Sequence, residues 1–98
     1  MTTGDNNVAI GEAALTANTT GTKNIAIGAN SLDANTTGFH NVAIGQSALG
    51  AMNVTDGSST YNTAVGSHAG KVLTTGTRNT IVGGLAGEAI TTGQRNEL

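Results

Sequence analysis

No cysteine, proline or tryptophan occurs in the 98 residues, and one Phe and one Tyr are the whole aromatic complement. Without cysteine there are no disulfides and no thiolate metal sites, so order must come from packing and hydrogen bonding. The redox compartment stays open and an extracellular life is allowed. Charge is scarce too: charged residues make up 10% and the net charge is -2, which gives no basic footprint for nucleic acid and no like-charge block for a membrane surface. No apolar run reaches the length of a membrane span, and the start MTTGDNN lacks the basic and apolar regions of a signal peptide. Neither membrane insertion nor a secretory address is therefore expected. Hydrophobic residues are only 37%. A chain that poor in apolar side chains would suit disorder, but disordered chains are rich in charge and proline and this one has little of either.

What the chain does have is fifteen glycines and a phrase that keeps returning. NVAIG at Asn41 to Gly45 appears also as NVAIG from Asn7, NIAIG from Asn24, NTAVG from Asn62 and NTIVG from Asn79, with a truncated start at Asn96; the Asn spacings are 17, 17, 21, 17 and 17. A fixed short period marks stacked coils, each too small to bury its apolar face alone. With each coil counted from its Asn as position zero, positions one and three are β-branched throughout: Val8 and Ile10, Ile25 and Ile27, Val42 and Ile44, Thr63 and Val65, Thr80 and Val82. Position two is Ala9, Ala26, Ala43, Ala64 and then Ile81. This is a period-two strand with one bulky and one mostly small face, and the small face implies close packing there as well. Gly at position four bends the chain. A second apolar group, Ala14-Leu15, Ser31-Leu32 and Ala48-Leu49, adds one more inward side chain per coil. TTG at 2–4, 19–21, 36–38, 74–76 and 91–93 closes the coil. Seven residues from Glu12 to Asn18, fenced by Gly11 and Gly21, are too few to propagate a helix, so a tight turn is expected there.

The expected fold is therefore all-β: a parallel β-solenoid or β-roll of about six short coils with a 17-residue period, forming one repeat domain over residues 1–98. Coils start near residues 2, 19, 36, 74 and 91, and a four-residue insertion around 53–60 carries the turn signal Asp56-Gly57. Beyond it Leu at position eight gives way to Gly70 and Gly87, while Asn18 and Asn35 at position eleven give way to Leu73 and Ile90, so the cross-section should change. Neither end carries a sequence cap, which fits a piece of a longer array. So few large apolar side chains over this length make a lone monomer a poor expectation, and an oligomer is expected.

No catalytic constellation emerges, so an enzyme is not expected, nor a cofactor or metal. His40 and His68 lie at non-equivalent positions and in no metal-ligand spacing. GxGxxG, GxxxxGK[ST] and GGxGxD are absent; the glycines recur with the coil, and Asp5, Asp33 and Asp56 never align. The Asn column Asn7, Asn24, Asn41, Asn62, Asn79 and Asn96 is read as stacked amides that satisfy turn backbone. Threonine pairs raise ice binding as a third functional class, although adjacent Thr in an extended segment point to opposite sides and TTG reads as a corner.

Variation within the fixed frame is concentrated just before each Asn. Position sixteen holds Lys23, His40, Tyr61, Arg78 and Arg95, and position fifteen holds Thr22, Phe39, Thr60, Thr77 and Gln94. Stacked coils turn these into two neighbouring columns, and Lys23, Phe39, His40, Tyr61, Arg78 and Arg95 become the candidate surface contacts. Phe39 and Tyr61 are suited to stacking on sugar rings, and the cations to anionic groups.

The strings NTAVGSHAGKVLTTGTRN and NVAIGQSAL resemble the repeats of bacteriophage tail fibres, particularly those ending in an endosialidase-type intramolecular chaperone. They are also similar to the NxAIG coils of trimeric autotransporter adhesin heads, whose coil is shorter than 17 residues, which ranks the phage resemblance first. The resemblance implies a homotrimer of parallel β-rolls, intertwined or side by side, displayed on a virion or, in the second case, a bacterial surface. It implies a structural and adhesive role, with other fibre domains and a host-surface polysaccharide as partners.

Overall fold

Each NxAIG phrase forms one three-residue strand: β1 Val8–Ile10, β2 Ile25–Ile27, β3 Val42–Ile44, β4 Thr63–Val65 and β5 Thr80–Val82. The computed structural model describes residues 6–53, 60–87 and 92. The five strands pair in chain order as a parallel sheet, with Val8 on Ile25, Ile25 on Val42, Val42 on Thr63 and Thr63 on Thr80. Consecutive parallel neighbours with one coil of chain between them make a β-solenoid of about four turns. The 21-residue step from β3 to β4 keeps the same register, so the four extra residues do not enter the ladder. The Asp56-Gly57 turn and the sixth start at Asn96 lie outside the described residues.

Among the described residues there is no helix, and 12–17 forms turns as the fenced segment requires. Inter-coil bonds continue beyond the strands. The Gly28 amide donates to the Ile10 carbonyl at 2.7 Å, and the Leu15 and Leu32 amides donate to the Ser31 and Ala48 carbonyls at 3.0 and 3.1 Å. The Gly at position four is required on two counts. Gly28 has φ +121°, and a Cβ there would lie 2.7 Å from the carbonyl carbon of Gly45 in the next coil. The coils can stack at strand spacing only because no side chain stands between them.

The alternation of the strands is observed, with the small face inward. Ala26, Ala43, Ala64 and Ile81 are fully buried, while Ile10 and Val82 are each 57% exposed and Val8 43%. The inner faces of the strands meet Leu15, Leu32, Leu49 and Leu73 from the return segments in one continuous core. The coil is so thin that Ala opposite Leu fills it. Beyond the insertion the pairing is exchanged: a Cβ on Gly70 would lie 3.0 Å from Ile81 Cδ1 and 3.1 Å from Leu49 Cδ2. Ile81 thus reaches volume that Leu fills in earlier coils, while the buried Leu73 stands at position eleven where Asn18 and Asn35 stand earlier, so bulk shifts along the return wall as well as to the strand.

Non-glycine residues adopt left-handed backbone at three recurring positions. These are position six (Ala13, Asn30, Ser47, His68, Leu85), position eight (Leu15, Leu32, Leu49) and position sixteen (Lys23, His40, Tyr61, Arg78). Such conformers cost L-residues roughly 1–2 kcal/mol each, and here the inter-coil ladder holds them.

Two buried asparagine columns run parallel to the sheet. In the first, at position zero, each side-chain oxygen accepts the backbone amide of the next Asn: Asn24 N to Asn7 Oδ1 at 2.9 Å, Asn41 N to Asn24 Oδ1 at 3.0 Å, Asn62 N to Asn41 Oδ1 at 3.1 Å, Asn79 N to Asn62 Oδ1 at 3.0 Å. The Nδ2 groups of Asn7, Asn24 and Asn62 cross their own coil to the carbonyls of Gly21, Gly38 and Gly76. These amides brace the corner that TTG makes. The second column, Asn18 and Asn35 at position eleven, gives way to the buried Met52 at that position of the next coil, and Asn35 Oδ1 is buried without a hydrogen-bond partner.

Candidate functional site

The backbone at position sixteen is left-handed in every described coil, with φ of 58° at Lys23, 66° at His40, 50° at Tyr61 and 58° at Arg78. Left-handed geometry just before the Asn throws each side chain outward from the corner. The tiers are tied by the Thr22 carbonyl accepting from the His40 amide at 3.2 Å, and the Thr60 carbonyl from the Arg78 amide at 2.7 Å. Lys23, His40, Tyr61 and Arg78 accordingly form one ridge of four tiers. At roughly 4.8 Å per tier it runs about 14 Å along the solenoid.

In its middle the imidazole of His40 lies flat on the Tyr61 ring, centroids 4.7 Å apart and planes 7° off parallel. The Phe39 ring is tilted against His40, centroids 5.2 Å apart and planes at 52°. His40 and Tyr61 are 21 apart in sequence, and their stack forms because the inserted segment leaves the tiers in register. Tyr61 is half exposed, Lys23 and Arg78 are exposed, and Phe39 and His40 are half buried. His40 Nδ1 is buried without a hydrogen-bond partner. The structure thus brings together five of the six candidate contacts, while Arg95 lies outside the described residues. A stacked His40–Tyr61 pair between two exposed cations offers ring edges and the Tyr61 hydroxyl to a ligand, with charge-assisted hydrogen bonds to anions on either side.

His68 stands at position six, away from the ridge, beside Ser67 with Oγ and Nδ1 2.9 Å apart. Among the described residues no group of three or more His, Cys, Asp or Glu could hold a metal ion, and no helix is long and apolar enough to cross a membrane. Two hydroxyls of the threonine corners are engaged by the chain itself: Thr19 Oγ1 donates to the Thr36 carbonyl at 3.2 Å and Thr36 Oγ1 to Asn53 Oδ1 at 2.8 Å.

The surface that reasoning from the repeats did not place is the outer face of the sheet. Val8, Ile10, Ile25, Ile27, Val42, Ile44, Val65 and Val82, with Thr63 and Thr80, form an unbroken β-branched stripe one strand wide along all five tiers. The alternation was the available signal; which face turned outward depended on the thinness of the coil. No family model, curated protein or solved structure matches the chain.

Proposed function

We propose that this chain is a structural and adhesive fibre segment, as in a bacteriophage tail fibre, which assembles as a parallel homotrimer and projects or forms a surface for host glycans. The observation that carries the assembly is the β-branched stripe. A side chain of this kind gains about 1.5–3 kcal/mol on full burial, and eight Val and Ile on one partly exposed face are a standing drive to associate. Continuous apolar stripes of this sort mark interaction surfaces. The stripe is narrow, parallel to the solenoid axis and unbroken through the insertion, which suits convergence of identical stripes on a common axis. The number three rests on the resemblance to fibre repeats.

Recognition belongs on the ridge of Lys23, Phe39, His40, Tyr61 and Arg78, which stands at the corner bordering the stripe, one buried Asn before each strand. The frame is uniform from tier to tier whereas the ridge differs at each, as a receptor-reading surface would. The test is attachment of the assembled fibre to host-surface polysaccharide after Phe39→Ala and Tyr61→Ala. The expected result is at least a tenfold loss of binding with the oligomeric mass unchanged. Unchanged attachment would leave the ridge a solvated corner and the segment a spacer.

A further inference from the structure

We propose that the borders of the β-branched stripe set the direction of assembly: Glu12 of one copy meets Lys23 of the next and selects parallel, level association. The inference rests on the assembly proposed above and assigns residues to its seams. The stripe is flanked on both sides by a column of residues. Immediately before the Asn of each strand stand Lys23, His40, Tyr61 and Arg78. Immediately after the Gly that ends each strand stand Glu12, Ala29, Gln46, Ser67 and Gly84. This second column is as regular as the first, since the carbonyls of Glu12, Ala29, Gln46 and Ser67 accept the amides of Asn30, Ser47, His68 and Leu85 in the next coil at 2.9, 2.9, 2.7 and 2.9 Å.

The two borders differ in charge. Lys23 and Arg78 are exposed cations on the first, whereas the second carries the exposed anion Glu12 and no cation. When copies are related by rotation about an axis along the solenoid, the first border of each turns toward the second border of its neighbour with no change of height. Glu12 and Lys23 belong to one coil, so they differ in height by less than one tier, roughly 4.8 Å. Two long side chains span that step. The same rotation sets Gln46 against Tyr61 and Ser67 against Arg78, each able to hydrogen-bond, and the small Ala29 against His40.

An antiparallel pair, related by a two-fold through the middle of the stripe, brings first border against first border instead. Lys23 then faces Arg78, and like charges disfavour that arrangement. An exposed ion pair adds little affinity. The apolar stripe drives association, the charges choose its direction, and the ridge proposed for recognition runs along the seam between two copies.

Because the chain has no cysteine, the double variant Glu12→Cys/Lys23→Cys can be treated with dibromobimane, which joins thiols only at short range. Within one chain a strand with its flanking Asn and Gly separates the two columns by roughly 13 Å at strand rise, so a link joins two copies. The expected product is a closed covalent ring that runs at the mass of the assembly in denaturing electrophoresis, while Lys23→Cys/Arg78→Cys stays unlinked. Glu12→Lys and Lys23→Glu should each weaken association roughly tenfold at low ionic strength, because every seam of the ring repeats the clash. The double reversal should restore it, with the circular dichroism spectrum unchanged throughout. Linking of Lys23→Cys/Arg78→Cys, no link in a Glu12→Cys/Lys23→Cys chain that still sediments as an assembly, or no recovery in the double reversal would each overturn the assignment. An unmodified chain that sediments at one protomer mass would overturn the assembly with it, which separates the two failures.

Discussion

Asn41 shows how much of the fold is held by single buried amides. Its Nδ2 donates to Asn24 Oδ1 at 3.0 Å, and its Oδ1 accepts from Thr60 Oγ1 at 2.6 Å and from the Asn62 amide at 3.1 Å. Asn41→Ala strips the buried Asn62 amide of its acceptor, at about 1–3 kcal/mol for an unsatisfied group, while Thr60 Oγ1 keeps the Phe39 carbonyl at 3.0 Å. Denaturant unfolding should therefore show a loss of roughly 1–3 kcal/mol, and no measurable loss would show that water or relaxation replaces the amide. The second column predicts the opposite sign. Asn18 and Asn35 share a bond at 3.1 Å, yet Asn35 Oδ1 is buried without a hydrogen-bond partner. The carbonyls they reach, on Gly21 and Gly38, already accept from Asn7 and Asn24 at 2.8 Å. Leu73 occupies the same position two coils on and is fully buried, and there Asn62 Nδ2 donates to the Gly76 carbonyl at 2.9 Å. Replacing both partners of a buried bond with apolar groups is neutral to stabilising. The double variant Asn18→Leu/Asn35→Leu should thus raise the thermal midpoint by several degrees, and a fall would mean that the amide pair holds the corner. The role of the position-zero amides was legible in the repeat itself, because one Asn at each bend has only turn backbone to satisfy. The orphaned oxygen was not legible, since it depends on which way the Asn35 amide turns.

At the scale of the coil, the strands, their parallel register and the bend at position four followed from a 17-residue period and a two-residue alternation. What the alternation leaves open is direction. Both faces of VAI are apolar, so patterning alone favours neither. The thin coil decides it, since Leu from the return wall and a bulky side chain from the strand do not fit together. The left-handed Lys23, Tyr61 and Leu49 were equally illegible, because none has the chemistry that favours that conformation. Their geometry is imposed by the neighbouring tiers. The exchange at Gly70 and Ile81 tests the fit of the two walls. Ile81→Ala should cost about 2–4 kcal/mol through the cavity it leaves, and Gly70→Leu should destabilise by overpacking against Ile81 and Leu49. The pair together returns Leu to position eight and Ala to position two, and Leu32 and Leu49 adopt φ of 49° and 52° at that same position eight. It should recover most of the loss. Additive losses in a double-mutant cycle would show that the two walls do not share one volume.

For the whole molecule, the proposed assembly follows from a contradiction inside the single chain: the innermost positions of β2, β3 and β4 are Ala, and every strand Val and Ile except Ile81 is on the outside. A monomer built this way leaves its best apolar surface in water, and identical stripes placed together remove it. Ile27→Lys and Ile44→Lys put charge in the middle of the stripe, where each strand's other side is unaffected. Both variants should keep the solenoid's circular dichroism while losing the assembly. The direct measurement is the sedimentation-equilibrium mass of the unmodified chain, whose protomer is 9.6 kDa. The account predicts a folded particle of three protomer masses that Ile27→Lys dissociates. A folded, stable species of one protomer mass at micromolar concentration would contradict it.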